Sequence, residues 1–286
     1  MSWDFDYCSV NSISNLLGEN GLNMTKKFGQ NFLVSRSALE RIVSLSGASA
    51  GMRVWEVGPG IGALTSALLE TGAQVTAFEI DRGFCRILRE KAFTEELENG
   101  LLKLIEGDAL KTWISEYEEN GAPDVICANL PYNVGSVLIG SFIEHRCLPP
   151  VMVYTLQSEV VHRICAGPGD EDYSGFSVLT SLDYDNREAF VLKAGNFWPA
   201  PNVDSSVVVM KKKAQSVVRK EDAPAFFRTV HALFAQRRKT VKNNLKALKL
   251  SSETIDCALE KTGIQPSERA ENLDTLQIAR LSEALI

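Results

Sequence analysis

Leu39, Ile42, Val43 and Leu45 follow Ser35 at helical spacing and predict a helix over 35–46 with Ser35 as its N-cap. Beyond it the pattern alternates. Short apolar runs at 53–57, 74–78, 101–105, 124–128 and 151–156 predict strands. Helical patterns fill the gaps, among them 61–70, with Leu64, Leu68 and Leu69 on one face, and 82–93. Two extended runs, 188–193 and 205–211, have no good helix between them and predict an antiparallel pair. Strands alternating with helices of this length imply an α/β fold with a doubly wound, mostly parallel sheet. After about residue 214 the strand pattern stops. Phe226, Val230, Leu233, Phe234, Val241, Leu245 and Leu248 then fall at helical spacing, with Arg238, Lys242 and Lys246 at i, i+4 on another face. Segments 251–261, 266–272 and 275–285 also read as short helices, giving a small all-helical C-terminal domain. Residues 1–25 read as a polar extension with a helical turn or two between Asn11 and Leu22, ended by Gly21. The predicted division is therefore 1–25, 26–213 and 214–286.

The composition of the 286 residues, 45% apolar and 23% charged, excludes fibrous and wholly disordered classes. The six cysteines are scattered, with no C-x-x-C pair, so neither a zinc site nor a disulfide framework is expected. Six free thiols point to a reducing cytoplasm. The start, Met1-Ser-Trp-Asp-Phe-Asp6, has no signal-peptide pattern, and no apolar run approaches transmembrane length. Membrane and metal partners are not expected, and a monomer is.

Charge changes the picture. The net value is −6, yet residues 211–250 carry twelve Lys/Arg against Glu221 and Asp222, a local +10. The remaining chain then carries −16, much of it in 90–124, with ten acids against three bases. The acidic stretch reads as a solvated face, whereas the basic block on an acidic protein points to a polyanion.

In doubly wound sheets ligands bind beyond the carboxyl ends of the strands. The first strand ends in Glu56-Val-Gly58-Pro-Gly60-Ile-Gly62, the second in Glu79-Ile-Asp81, the third in Gly107-Asp108 and the fourth in Asn129-Leu-Pro-Tyr132. Gly58 and Gly60 let backbone pass close to a ligand at a helix N-terminus. Their spacing departs from G-x-G-x-x-G, which disfavours a nicotinamide-dependent oxidoreductase. Glu79 and Asp81 are both candidates for ribose hydroxyls, although Asp81 suits an N-cap better. Asp108 suits either an exocyclic amine or an N-cap. Asn129 and Leu130 offer a side-chain oxygen and a carbonyl that can each accept one N–H of an aromatic amine, with Tyr132 to stack on its ring. Asn and Pro are also ordinary turn formers, but three other strand ends beside them favour chemistry.

These motifs, with Lys26-Lys-Phe-Gly-Gln-Asn-Phe-Leu33, Asn196-Phe-Trp-Pro-Ala-Pro-Asn-Val-Asp-Ser205 and Phe234-Ala-Gln-Arg-Arg-Lys-Thr240, occur in one order. The chain resembles the KsgA/RsmA family of ribosomal RNA adenine dimethyltransferases over roughly residues 20–285. The resemblance implies a methyltransferase-type (Rossmann-like) sheet, a helical C-terminal RNA-binding domain and S-adenosyl-L-methionine as cofactor. It implies that Asn31 and Leu33 close over the cofactor, with Gly58 and Gly60 beside it. Glu79 would take the ribose, Asp108 the adenine amine, and Asn129 the methyl-transfer point. Phe197 would stack the target adenine opposite Tyr132, in a site roomy enough for a singly methylated base. The implied substrate is a pair of adjacent adenosines in the 3′-terminal hairpin loop of 16S rRNA, in the small ribosomal subunit or its precursor. RNA contact is expected at Lys26, Lys27, Arg237, Arg238, Lys239, Lys242 and Lys246. Trp198 admits two readings, packing or RNA contact. The alternatives are a large-subunit (23S) rRNA dimethyltransferase of the macrolide-resistance type and a non-catalytic ribosome assembly factor. The segment Gln157-Ser-Glu-Val160 and the full helical tail favour the first reading over the former, and intact strand ends favour it over the latter.

Overall fold

The computed structural model describes residues 3–22, 31–131 and 134–286. The chain begins α1 (Val10–Glu19), β1 (Phe32–Leu33), α2 (Arg36–Ser46), β2 (Arg53–Val57), α3 (Ala63–Leu69), β3 (Gln74–Glu79) and α4 (Arg82–Ile87). A π-helical turn, Leu88–Ala92, leads to α5 (Thr94–Glu98), β4 (Leu102–Glu106), α6 (Ala109–Asn120), β5 (Val125–Asn129), α7 (Gly135–Glu144) and β6 (Val151–Gln157). Next come α8 (Ser158–Cys165), α9 (Gly175–Asp183), β7 (Tyr184–Leu192), β8 (Phe197–Trp198) and β9 (Ser205–Lys212). The chain closes with α10 (Ala223–Phe234), α11 (Val241–Leu245), α12 (Ser252–Thr262) and α13 (Thr275–Ala284).

Seven strands form one sheet in the order β4-β3-β2-β5-β6-β9-β7. The first five are parallel and β9 runs antiparallel to β6, pairing Tyr154 with Val208. Because β2 has β3 on one side and β5 on the other, strand order reverses there, where such sheets bind ligands. The runs at 188–193 and 205–211 lie in β7 and β9, neighbours at one edge. A second small sheet pairs β1 with β8, Leu33 opposite Phe197. Val54, Val75, Val125, Val153 and Val209 are buried in one core cluster, as expected where helices cover both sheet faces.

The helix predicted from residue 61 starts at Ala63, because Gly62 turns left-handed (φ +95°) before it. The helix predicted over 82–93 is α-helical only to Ile87. The π-helical turn then closes with the Phe93 amide on the Leu88 carbonyl at 2.9 Å.

The extension at 1–25 is not merely polar. In α1, Ile13, Leu16 and Leu17 are buried, and the left-handed Gly21 (φ +64°) ends the helix as expected, with the Leu22 amide closing on the Leu17 carbonyl at 2.9 Å. The basic ladder at 238, 242 and 246 is broken, since α10 ends at Phe234 and α11 starts afresh at Val241. Two side chains enforce the break. Thr240 Oγ1 accepts from the Asn243 amide, and Asn244 Nδ2 donates to the carbonyls of Leu233 and Gln236.

Two compact units emerge. One comprises Met1–Leu138, Cys147–Val161 and Arg187–Lys211; the other comprises Ile139–Arg146, His162–Asn186 and Lys212–Ile286. The second unit thus holds two segments besides the predicted tail. They belong there because Arg146 pairs with buried Asp183 and the Tyr173 hydroxyl donates to the Leu273 carbonyl at 2.8 Å. Gly175 also lies under Phe234, where a Cβ would stand 3.2 Å from Phe234 Cβ.

Candidate active site

The ends of β2, β3 and β5 and the turn after β4 surround one cavity of about 330 Å³ in the first unit. Asn31, Leu33, Gly58, Gly60, Glu79, Asp108, Asn129 and Leu130 all line it. Sequence separations of up to 72 residues, Gly58 to Leu130, collapse here because parallel strands deliver their carboxyl ends to one edge.

The glycine loop is held by a carboxylate. Glu79 Oε2 accepts the Gly60 amide at 3.0 Å, and its Oε1 accepts the Asp81 amide at 2.8 Å. Gly60 is left-handed (φ +58°), and a Cβ there would lie 3.0 Å from the Phe32 ring, so the loop can pass only as glycine. Glu79 is buried, and desolvation raises its pKa against the opposing pull of those amides. Asp81 caps α4 by accepting the Gly83 and Phe84 amides, as its position suggested. It does not line the cavity, so of these two candidates Glu79 is the one that faces the ligand space. Asp108 caps α6 through Oδ1, which accepts the Leu110 amide at 3.0 Å. Its Oδ2 takes no bond from the described residues, and the same residue both caps α6 and lines the cavity.

Glu56 also faces the cavity, a role the sequence reading did not assign. Its Oε2 accepts the Thr65 hydroxyl at 2.6 Å. Burial pushes its carboxyl up to about 8, Thr65 pulls the other way, and Glu79 adds to the rise. The signal was present as an acid inside the otherwise apolar run Val54-Trp-Glu-Val57. Phe84 and Ile61 were missed as well, and both are apolar parts of the wall.

At the end of β5, Asn129 Nδ2 donates to the Asn31 carbonyl at 3.2 Å. Leu130 is buried behind it, its amide donating to the Thr155 carbonyl at 3.2 Å. Tyr132, Lys26 and Lys27 lie outside the described residues. Phe197 is not brought to the cavity. Its ring sits in the main core cluster with Leu33, 4% exposed, because β8 is drawn onto β1. Trp198 packs, stacking on Phe32 with ring centroids 6.4 Å apart.

In the second unit Arg237, Arg238, Lys239 and Lys246 are exposed. Arg237 is occupied by Glu271 at 3.0 Å, and Lys242 by Asp256 at 2.6 Å. Arg238 and Lys239 carry no ion pair among the described residues.

The cavity fits an adenosine-bearing ligand. Its volume lies at the lower end of small-molecule sites, its wall is largely apolar, and acidic acceptors stand at two strand ends. Among the described residues no group of three His, Cys, Asp or Glu could hold a metal, and no helix is long and apolar enough to cross a membrane.

Comparison with known proteins identifies the family. The model of the family "Ribosomal RNA adenine dimethylase" matches residues 21–286. A ribosomal RNA small subunit methyltransferase A of Treponema denticola is 42% identical over 283 residues, covering 98% of this chain and 96% of that protein. The protein of the same name from Magnetococcus marinus is 40% identical, covering 93% and 94%. Among solved structures, a dimethyladenosine transferase from Plasmodium falciparum superposes with a TM-score of 0.71 at 26% identity, over 86% of this chain and 94% of that one. Matched by that family model over residues 21–286 and 42% identical to a relative across 98% of its length, the chain belongs to the ribosomal RNA adenine dimethylase family.

Proposed function

We propose that this protein transfers methyl groups from S-adenosyl-L-methionine to N6 of two adjacent adenosines in the 3′-terminal hairpin loop of 16S rRNA. The observation that carries the reading is the cavity at the strand-order switch, where Glu79, Asp108 and Asn129 present polar atoms to one apolar space. The names of the curated relatives support the small-subunit substrate over the large-subunit one.

When bound, S-adenosylmethionine supplies an electrophilic methyl group on a good leaving group. Glu79 accepts the ribose hydroxyls and Asp108 Oδ2 the adenine amine. Asn129 Oδ1 and the Leu130 carbonyl each accept one N–H of the target amine, which withdraws the nitrogen lone pair from the ring and aims it in one direction. This is catalysis by placement and orientation, with no general base required of the protein. The nitrogen proton passes to water after transfer. The target base must leave any stack, and loop adenines lose least by doing so. Arg238, Lys239 and Lys246 carry no ion pair among the described residues and would neutralise RNA phosphates, Lys246 by leaving the Asn243 amide oxygen to which it donates.

The test is incubation of the purified chain and S-adenosylmethionine with unmodified small subunits, and separately with large subunits, followed by nucleoside mass spectrometry. Dimethyladenosine at two adjacent positions of 16S rRNA is the expected product. Product only in 23S rRNA, or none at all, would overturn the reading.

A further inference from the structure

The helix α1 precedes the stretch that the family model matches, and none of the roles above falls on it. Its Ile13, Leu16 and Leu17 form one buried cluster with Phe32, Ile61 and Phe84. The last three line the cavity. Side chains that border the ligand space are therefore backed by α1.

Three further contacts fasten the N-terminal segment. In the first turn of α4, a Cβ on Gly83 would lie 2.3 Å from Leu22 Cδ2, so Leu22 occupies the space a side chain would fill. One turn on, Arg86 Nη2 donates to the Asn20 carbonyl at 3.1 Å. Upstream, Trp3 stacks on Phe5 at 4.5 Å and Tyr7 meets both rings edge-on. Tyr7 shares a hydrogen bond with Ser66, the neighbour of the Thr65 that holds Glu56.

We propose that α1, with the Leu22 that follows it, is part of the cofactor site, Leu16, Leu17 and Leu22 being positioning residues that act through Phe84, Ile61 and Phe32. The inference rests on reading this cavity as the S-adenosylmethionine site. A wall already held in place spares the ligand the entropy of ordering it. Leu16, Leu17 and Leu22 do not themselves line the cavity, so loosening the wall is expected to weaken binding of the cofactor and to leave the transfer step intact.

The test compares the full-length chain with Leu16→Ala/Leu17→Ala, with Leu22→Ala and with Leu16→Met/Leu17→Met. Calorimetry gives the S-adenosylmethionine Kd, and methylation of small subunits gives KM for cofactor against kcat. Expected is a rise of about tenfold in Kd and KM together for the alanine pair, with kcat at saturating cofactor unchanged and near-parental binding for the methionine pair. Leu22→Ala, which removes the side chain packed over Gly83 and leaves α1 complete, is expected to shift Kd the same way and serves if the alanine pair fails to fold. Folded variants with parental Kd, or with lowered kcat at unchanged KM, would overturn the role of α1. A parental chain that does not bind S-adenosylmethionine would overturn the reading of the cavity instead, and this inference with it.

Discussion

The side-chain nitrogen of Asn129 donates to the Asn31 carbonyl, tying the end of β5 to the residue just ahead of β1. With the nitrogen so engaged, Oδ1 is the atom left for a substrate amine. Asn129→Ala is expected to slow single-turnover methylation by about 10²–10³, the scale of losing one oriented polar contact at a transition state. Cofactor affinity, titrated alongside, should stay near parental. Parental methylation in this variant would end the catalytic role of Asn129.

Glu79 joins two amides to the ligand space. Glu79→Ala should weaken S-adenosylmethionine binding by about 1.5–3 kcal/mol, since a charge-assisted acceptor is lost and the Gly60 amide is left unpaired. Glu79→Gln retains one acceptor oxygen and should fall between the two in calorimetry. Equal affinity in all three proteins would remove Glu79 from the site.

Glu56 makes stability depend on pH. Its carboxyl moves from 4.5 to about 8 on folding, so between those values the folded protein keeps a proton that the unfolded chain has released. The contribution of this carboxyl to stability is therefore fully present below the lower value and is lost as pH rises toward the upper one, by at most about 1.4 kcal/mol per pH unit. Glu56→Gln should flatten that dependence in denaturant titrations run from pH 5 to pH 8. An unchanged slope would assign it to another group.

For RNA, the salt slope separates free cations from paired ones. Replacing Arg238 and Lys246 with Gln should lower the slope of log K against log salt by roughly 1.4, at about 0.7 per phosphate contact. Lys242→Gln should change it little, because Asp256 already neutralises that ammonium. A full reduction from Lys242 alone would show that RNA displaces Asp256.

Gly62→Ala tests the turn into α3. A Cβ there would sit 2.5 Å from the Phe93 ring at φ +95°. Backbone strain and overpacking each cost about 1–3 kcal/mol, so the melting temperature should drop well below that of a surface control such as Gly195→Ala, where a Cβ meets nothing within 4 Å.

The sequence made the sheet legible because each strand carries its own apolar run and each ends in a distinctive residue. Asp81 and Asp108 were readable as caps for the same local reason. What escaped depends on partners far along the chain. Leu16 and Leu17 look like scattered leucines in a polar stretch until Phe84 and Ile87 arrive across the fold. Phe197 carries a family motif, yet its burial follows from β8 pairing with β1, which two-residue strands do not announce. The basic ladder failed because helical spacing continues through 235–240, whereas Thr240 and Asn244 end one helix and begin another.

The backbone passes between the two compact units five times, at 138/139, 146/147, 161/162, 186/187 and 211/212. A fragment beginning at residue 214 would leave the Leu273 carbonyl without Tyr173 and the Phe234 ring without the bare backbone of Gly175. The helical unit is therefore not a cassette that one recombination junction could graft onto another sheet. Its inheritance is bound to that of the catalytic half, and the two can diversify only as interwoven stretches of one gene.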